Sequence, residues 1–274
     1  MRRAVPFLVL VTLVLAACGT DTVGLSYRLQ EGRRLQYRLR LEADVDRALE
    51  GETREQRVEA AFRLGQEVLE TMPEGGARAR MSLTPVSLVV DGQGGDVGPS
   101  QEFIVTLGPR GEIVALEDAT GMAPEPLELV GIERLLPRLQ PVLPGDSVEL
   151  GDRWTSETDL SDEDGTFSLE ARSRLDRLGR TGGSDSALVR TTYTSPVDRQ
   201  EPFANAVADL AGRDIGTQEA WFALDGFLIR SSGDSVGRYR VTFRPPQDAG
   251  GLTPVDGRLE VRLHTELELV ESRV

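Results

Sequence analysis

Residues 27–118 and 147–231 read as two copies of one unit. This constrains the fold more than any single motif, because whatever the pattern builds must be buildable twice. The clearest pair is ARARMSLTPV at 77–86 and ALVRTTYTSPV at 187–197, where Ala77, Arg80 and Thr84 fall on Ala187, Arg190 and Thr194. A second pair is QEFIVTLGPRGEIVAL at 101–116 and QEAWFALDGFLIR at 218–230, each reading as strand, tight turn and returning strand. Upstream, Gly32 matches Gly151 and Leu35 matches Trp154.

Periodicity within the copies predicts strands. Tyr37, Leu39, Leu41, Ala43 and Val45 alternate with Arg38, Arg40, Glu42 and Asp44, the pattern of an antiparallel strand with one face in water. Helix formers crowd residues 56–70, but Val58, Ala60, Phe62 and Leu64 alternate, so that stretch also reads as strand. Residues 77–92 predict a long strand bending near Pro85. Residues 101–116 predict a hairpin in which Gly111 adopts positive φ.

Residues 119–146 break the pattern. Ile132, Leu135, Leu136 and Leu139 stand at i, i+3, i+4 and i+7, which predicts a short amphipathic helix interrupted or ended near Pro137. It reads either as a lid or docking helix, or as a connector that plugs the end of a sheet. In the second copy, Phe167, Leu169 and Ala171 alternate. Phe203, Val207 and Leu210 predict a second short helix, and Asp225-Gly226 predicts a type I′ turn. Two more strands are expected beyond the copy: VGRYRVTF, and the run from Leu259 to Leu269, the longest uninterrupted alternation in the chain. The first copy shows no counterpart to either.

The N-terminus speaks to cellular address. Met1-Arg2-Arg3 precedes an apolar run to Ala17 that is too short to span a bilayer. It ends Leu15-Ala16-Ala17-Cys18-Gly19, and Cys18 is the only cysteine. This resembles the lipobox of bacterial lipoproteins. The resemblance implies removal of residues 1–17 as a signal peptide, diacylglycerol on the Cys18 thiol and a tether over 18–26. It also implies attachment to a membrane of the cell envelope. Gly19 is not the Asp that holds lipoproteins on the inner membrane of diderm bacteria. The expected address is the periplasmic face of the outer membrane in a diderm host, or the outer face of the cytoplasmic membrane in a monoderm one.

Charge excludes one class of partner. All 31 basic residues are arginine, against 45 acidic ones, for a formal net charge of −14. Such a surface repels phosphate backbones, so no nucleic acid partner is expected. With Cys18 acylated, no thiol remains for a disulfide or redox site. His264 is the only histidine and lies between Arg262 and Glu266 on a charged strand face; it reads as a solvated side chain. The acidic run at 159–165 fails as a calcium loop, since placing Gly165 at position 6 puts Leu160 at position 1 and Ala171 at position 12. It reads as an acidic hairpin turn. Trp154 and Trp221 read as core-filling residues with the alternative of stacking on sugars or lipid chains. No catalytic, cofactor or metal residue is expected.

The expected fold is therefore mainly β: antiparallel meander sheets from an internal duplication, with two short helices. The copies at 27–118 and 147–274 (the latter with extra C-terminal strands) form either one curved sheet or two packed lobes, joined by a helical connector at 119–146. That architecture is similar to envelope lipoprotein-carrier folds. Expected functions are a non-enzymatic module binding an envelope protein or lipid ligand, a lipid or lipoprotein carrier with an apolar cavity, or an envelope hydrolase with paired carboxylates. A carrier needs a sizeable empty apolar pocket. An interaction module needs a filled core with an exposed patch or edge.

Overall fold

Alternation decides which side of each strand is buried. In the computed structural model, β1 (Arg34–Leu49) buries Leu35, Tyr37, Leu39, Leu41, Ala43 and Val45 and turns most of the intervening residues to solvent. The structure describes residues 22–117, 132–162, 165–203, 206–244 and 253–273. Those after β1 form β2 (Glu52–Thr71), β3 (Ala77–Val90), a two-residue β4 (Gln93–Gly94), β5 (Gln101–Leu107) and β6 (Ile113–Glu117). Helix α1 (Ile132–Leu139) follows. The second half supplies β7 (Arg153–Asp162), β8 (Gly165–Thr181), β9 (Ser184–Phe203), β10 (Ala206–Ala223), β11 (Phe227–Arg244) and β12 (Val255–Arg273).

All twelve strands belong to one antiparallel sheet, ordered β6-β5-β3-β2-β1-β12-β11-β10-β9-β8-β7, with β4 beside β3. Of the two architectures left open by the sequence, the single curved sheet is the one formed. It curls into a nearly closed barrel, bringing edge strands β6 and β7 side by side. No ladder joins those edges among the described residues; the strap after α1 bridges them. Arg110, in the β5–β6 turn, donates from Nε to the Leu143 carbonyl (2.6 Å), and its carbonyl accepts from the Leu143 N–H (2.9 Å). Trp154 of β7 donates from Nε1 to the Val142 carbonyl (2.7 Å).

The two copies repeat each other bond for bond near their starts. Gly32 (φ 79°) and Gly151 (φ 97°) both occupy the left-handed region, where a side chain is strained. The Gly32 N–H donates to the Val68 carbonyl (2.9 Å) and the Val68 N–H to the Arg33 carbonyl (3.0 Å). In the second copy Gly151 donates to Leu175 (2.8 Å) and Leu175 to Asp152 (3.0 Å). A bulge follows each site, between Val68 and Glu70 and between Leu175 and Arg177. The hairpin match shifts by two residues from the sequence alignment. Ala77 pairs with Leu107 and Ala187 with Phe222, so Gln218 takes the place of Phe103, not of Gln101. A slip of two keeps the same face inward, and for that reason the sequence pattern does not reveal it.

Three further expectations are corrected. The helix expected around Phe203, Val207 and Leu210 is strand β10: Ala208 and Leu210 are buried while Val207 is exposed, a period of two. The helical spacing of those three residues is coincidental, and β9 and β11 on either side supply a complete ladder. The Asp225-Gly226 turn is not type I′, because Gly226 (φ 89°) has positive φ and Asp225 does not. Ala223 pairs with Phe227 and a bulge lies between Trp221 and Phe222; the connection is a three-residue loop. Finally, VGRYRVTF is not a separate strand but the continuation of β11, so β12 alone lacks a counterpart in the first copy. It pairs with β1 on one side and β11 on the other, and joins the two halves.

Candidate functional site

The inner face of β9–β12 changes character halfway along. A large apolar cluster fills most of the barrel, and a smaller one around Val45, Val197, Leu210, Val241 and Leu259 lies toward the far end. Between them run small or polar inward residues: Ser195, Asp214, Gly216, Gln218, Ser231, Gly233, Ser235 and Gly237. Several of the glycines are needed for space. A methyl group on Gly216 would run into the Tyr193 ring, and one on Gly237 into the Tyr239 hydroxyl.

Helix α1 docks over this belt. From Arg134 to Leu139 every residue of it is buried, so the helix is a plug inside the curve and not an amphipathic lid on its surface. Its polar anchors come from the sheet. Gln218 donates from Nε2 to the Arg138 carbonyl (2.8 Å), and Ser231 donates from its hydroxyl to the Leu139 carbonyl (2.6 Å). These satisfy carbonyls that a helix C-terminus leaves without partners. Arg138 donates from Nη2 to Asp214 Oδ2, and Tyr239 donates its hydroxyl to Asp214 Oδ1. The guanidinium lies between the rings of Phe167 (5.8 Å) and Tyr193 (5.6 Å), in cation–π range.

Electrostatics favour the charged form of Arg138 and the neutral form of Tyr239. Burial is the largest single influence and pulls the Arg138 guanidinium down, but the attractions to Asp214 and Tyr193, the Asp214 hydrogen bond and the pull of Tyr239 together outweigh it; the net direction is up. Burial first, then the charge of Asp214, pushes the Tyr239 phenol well above its ordinary value. Asp214 is the one fully buried carboxylate among the described residues, and both its oxygens are engaged. It is placed as a structural counter-ion and not as a base facing a cleft.

Space inside the barrel is scarce. An apolar void of about 20 Å³ lies between Tyr37, Met81, Leu136, Leu139, Leu228 and Leu267, and one of about 10 Å³ beside Arg138 and Asp214. The larger concavity is outside. A groove of about 370 Å³ crosses β12, β1, β2, β3 and β5 on the solvent face, with Gln36, Gly65 and Ser82 on its floor and Arg34, Glu67, Arg80, Glu102, Glu271 and Arg273 around it. Arg34 binds Glu67 through Nε (3.0 Å) and Nη2 (2.7 Å), and Arg80 reaches the other Glu67 oxygen at 3.5 Å. The absence of a side chain at Gly65 opens the floor.

The residues singled out from the sequence are scattered. Cys18 and Glu163-Asp164 of the acidic run lie outside the described residues; Asp162 and Gly165 pair where β7 meets β8. Among the described residues no group of three potential metal ligands converges. Trp154 packs against the large core cluster, and Trp221 is half-buried. His264 sits on the outer face of β12, with Nδ1 2.8 Å from Asp234 Oδ1 and Nε2 3.7 Å from Glu266 Oε1. Its register partner on β1 is Glu42. The hydrogen bond to Asp234, opposed by burial and aided by the charges of Asp234 and Glu266, raises its pKa. A raised folded-state value means that the contact stabilises fully below the unfolded value of about 6.5 and that this gain is lost as pH rises through the folded value. The urea midpoint should therefore fall between pH 5.5 and pH 9 by more in the wild type than in His264→Ala.

No known protein family matches the chain, and no curated protein matches it. Among solved structures it aligns with DynF from the dynemicin biosynthesis pathway of Micromonospora chersina, at 9% identity over 90% of this chain and 85% of that one, with a TM-score of 0.24. An overlap that loose carries no argument about function.

Proposed function

We propose that the chain is a lipid-anchored envelope lipoprotein acting as a non-enzymatic binding module, with its partner taken on the outer surface of the barrel. The observation that carries the binding reading is the contrast in free space: inner voids of about 20 and 10 Å³ against a polar outer groove of about 370 Å³. The engagement of both Asp214 oxygens supports a non-enzymatic role. The Leu15-Ala16-Ala17-Cys18 resemblance supports the anchor, and no described helix is long and apolar enough to cross a membrane. The address follows the host: periplasmic face of the outer membrane in a diderm, outer face of the cytoplasmic membrane in a monoderm. A photo-crosslinker in place of Gln36, in the lipidated protein in its own cells, should give one discrete adduct that Arg80→Glu abolishes. Absence of any adduct would count against the groove. Labelled fatty acid should be incorporated into the wild type and not into Cys18→Ser.

One observation favours a second reading, a lipid carrier. The apolar inner face of a nearly closed sheet is covered by α1 and the strap at 140–144 instead of a second sheet, and a ligand could take the place of that one segment. Native mass spectrometry of the protein from its own membranes separates the readings: a co-purifying lipid favours the carrier, and a bare chain favours the module.

A further inference from the structure

The N-terminal arm, residues 22–33, is tied along its length to one end of the barrel. Val23 and Val148 exchange both backbone hydrogen bonds (2.8 and 3.0 Å). Leu25 is buried, and the Tyr27 ring meets Phe222 edge-on at 4.8 Å while its hydroxyl donates to the Pro141 carbonyl (2.9 Å). The Arg28 N–H donates to the Gly226 carbonyl (3.0 Å). Arg33, itself buried, donates from Nη1 to the Arg28 carbonyl (3.1 Å) and lies 5.0 Å over the Phe227 ring.

The antiparallel register gathers the turns at 72–76, 108–112, 182–183 and 224–226 at this same end, with the start of β1 and the finish of β12. The position of Thr22, next to the bonded Val23, is therefore fixed against it. Four peptide steps separate Thr22 from Cys18, a reach of at most about 14 Å even when fully extended. An acyl group on Cys18 thus cannot enter a bilayer without bringing this end of the barrel to the surface.

The surface there is suited to that contact. Val114 (55% exposed) on β6, Leu150 (62%) in the turn before β7, and Leu178 (38%) near the finish of β8 are three of the seven exposed large hydrophobic residues in the described chain. Leu150 is two residues from the Val148 that meets Val23, and β6 and β8 are the strands on either side of β7. Singly such residues need no explanation; their location on adjoining elements beside the tether is what gives them a partner.

We propose that this end, with Leu150 in contact, lies on the bilayer that holds the Cys18 anchor. The strands stand up from the membrane, and the turns at Glu50-Gly51 and Asp91-Gly92 face away from it. The proposal rests on the lipoprotein reading above. The occupant is a lipid surface held by the protein's own acyl chains, not an anionic surface recruited by charge, since the protein is itself acidic.

The chain has one cysteine, and acylation consumes its thiol, so single cysteines can be labelled cleanly in the lipidated protein. Spin labels at Leu150→Cys, Leu178→Cys and Glu52→Cys would be read in phosphatidylcholine liposomes with a bilayer-soluble relaxation agent (oxygen) and a water-soluble nickel chelate. The labels at 150 and 178 should favour oxygen over nickel several-fold relative to the label at 52. Equal accessibility at all three sites, in protein that floats with the liposomes, would overturn the orientation alone. Wild-type protein that fails to float would overturn the anchor and the orientation together.

Discussion

Asp214→Ala should be among the most destabilising single substitutions in this protein. It leaves the Arg138 guanidinium buried between two rings with its carboxylate gone and removes the acceptor of the Tyr239 hydroxyl. Breaking a buried ion pair from one side costs about 3–5 kcal/mol, and the urea midpoint should fall accordingly. The paired replacement Arg138→Met with Asp214→Leu should recover much of that loss, because two apolar side chains require no desolvation of charge. The strap after α1 carries the acceptor for the Trp154 indole, so loss of helix docking should also red-shift tryptophan emission before global unfolding. An Asp214→Ala variant within about 1 kcal/mol of the wild type, well short of the cost of an orphaned buried charge, would mean that α1 is not seated on the belt.

Phe222→Ala is the second large effect. The ring is fully buried and forms the edge-on contact with Tyr27 that holds the N-terminal arm. Truncating a buried phenylalanine costs about 3–5 kcal/mol. The aromatic pair itself contributes roughly 0.5–1.5 kcal/mol beyond burial, so Tyr27→Leu in the Phe222→Ala background should cost less than in the wild type by about that amount. Phe222→Leu, which retains most of the volume, should fall well short of the alanine loss. Chemical denaturation of the wild type and these variants measures both statements, and full additivity would show that the arm does not pack on this ring.

The architecture was legible because strand pairing is written in alternation. The residues from Tyr37 to Val45 and from Leu259 to Leu267 declare their inner face with no reference to neighbours, and Gly32 and Gly151 mark equivalent turns because both positions require positive φ. Short apolar triplets are less decisive. Phe203, Val207 and Leu210 fit a helix as well as a strand, and only the ladders to β9 and β11 choose between them. The buried ionic cluster was not legible at all. Arg138 and Asp214 are 76 residues apart, and each reads locally as an ordinary surface charge. A signal was nevertheless present. Asp214, Gly216 and Gln218 alternate on the buried face of β10, with Gly237 and Gly233 opposite them on β11. Glycines repeated on the buried side of two paired strands mark a place where something large comes close.

The pairing of β1 with β12 sets the order in which this molecule can be completed. Their ladder runs from Arg34 with Arg273 to Leu49 with Gly257, so an early strand finds its neighbour only when the last strand has arrived. Closing contacts of that sequence separation is slow. Until it happens, β1 and β11 each present an open edge that another chain can pair with. A chain emerging N-terminus first through an export channel would therefore spend its whole passage with the sheet unsealed. The arrival of β12 decides whether the chain seals its sheet or goes on presenting two open edges to other chains.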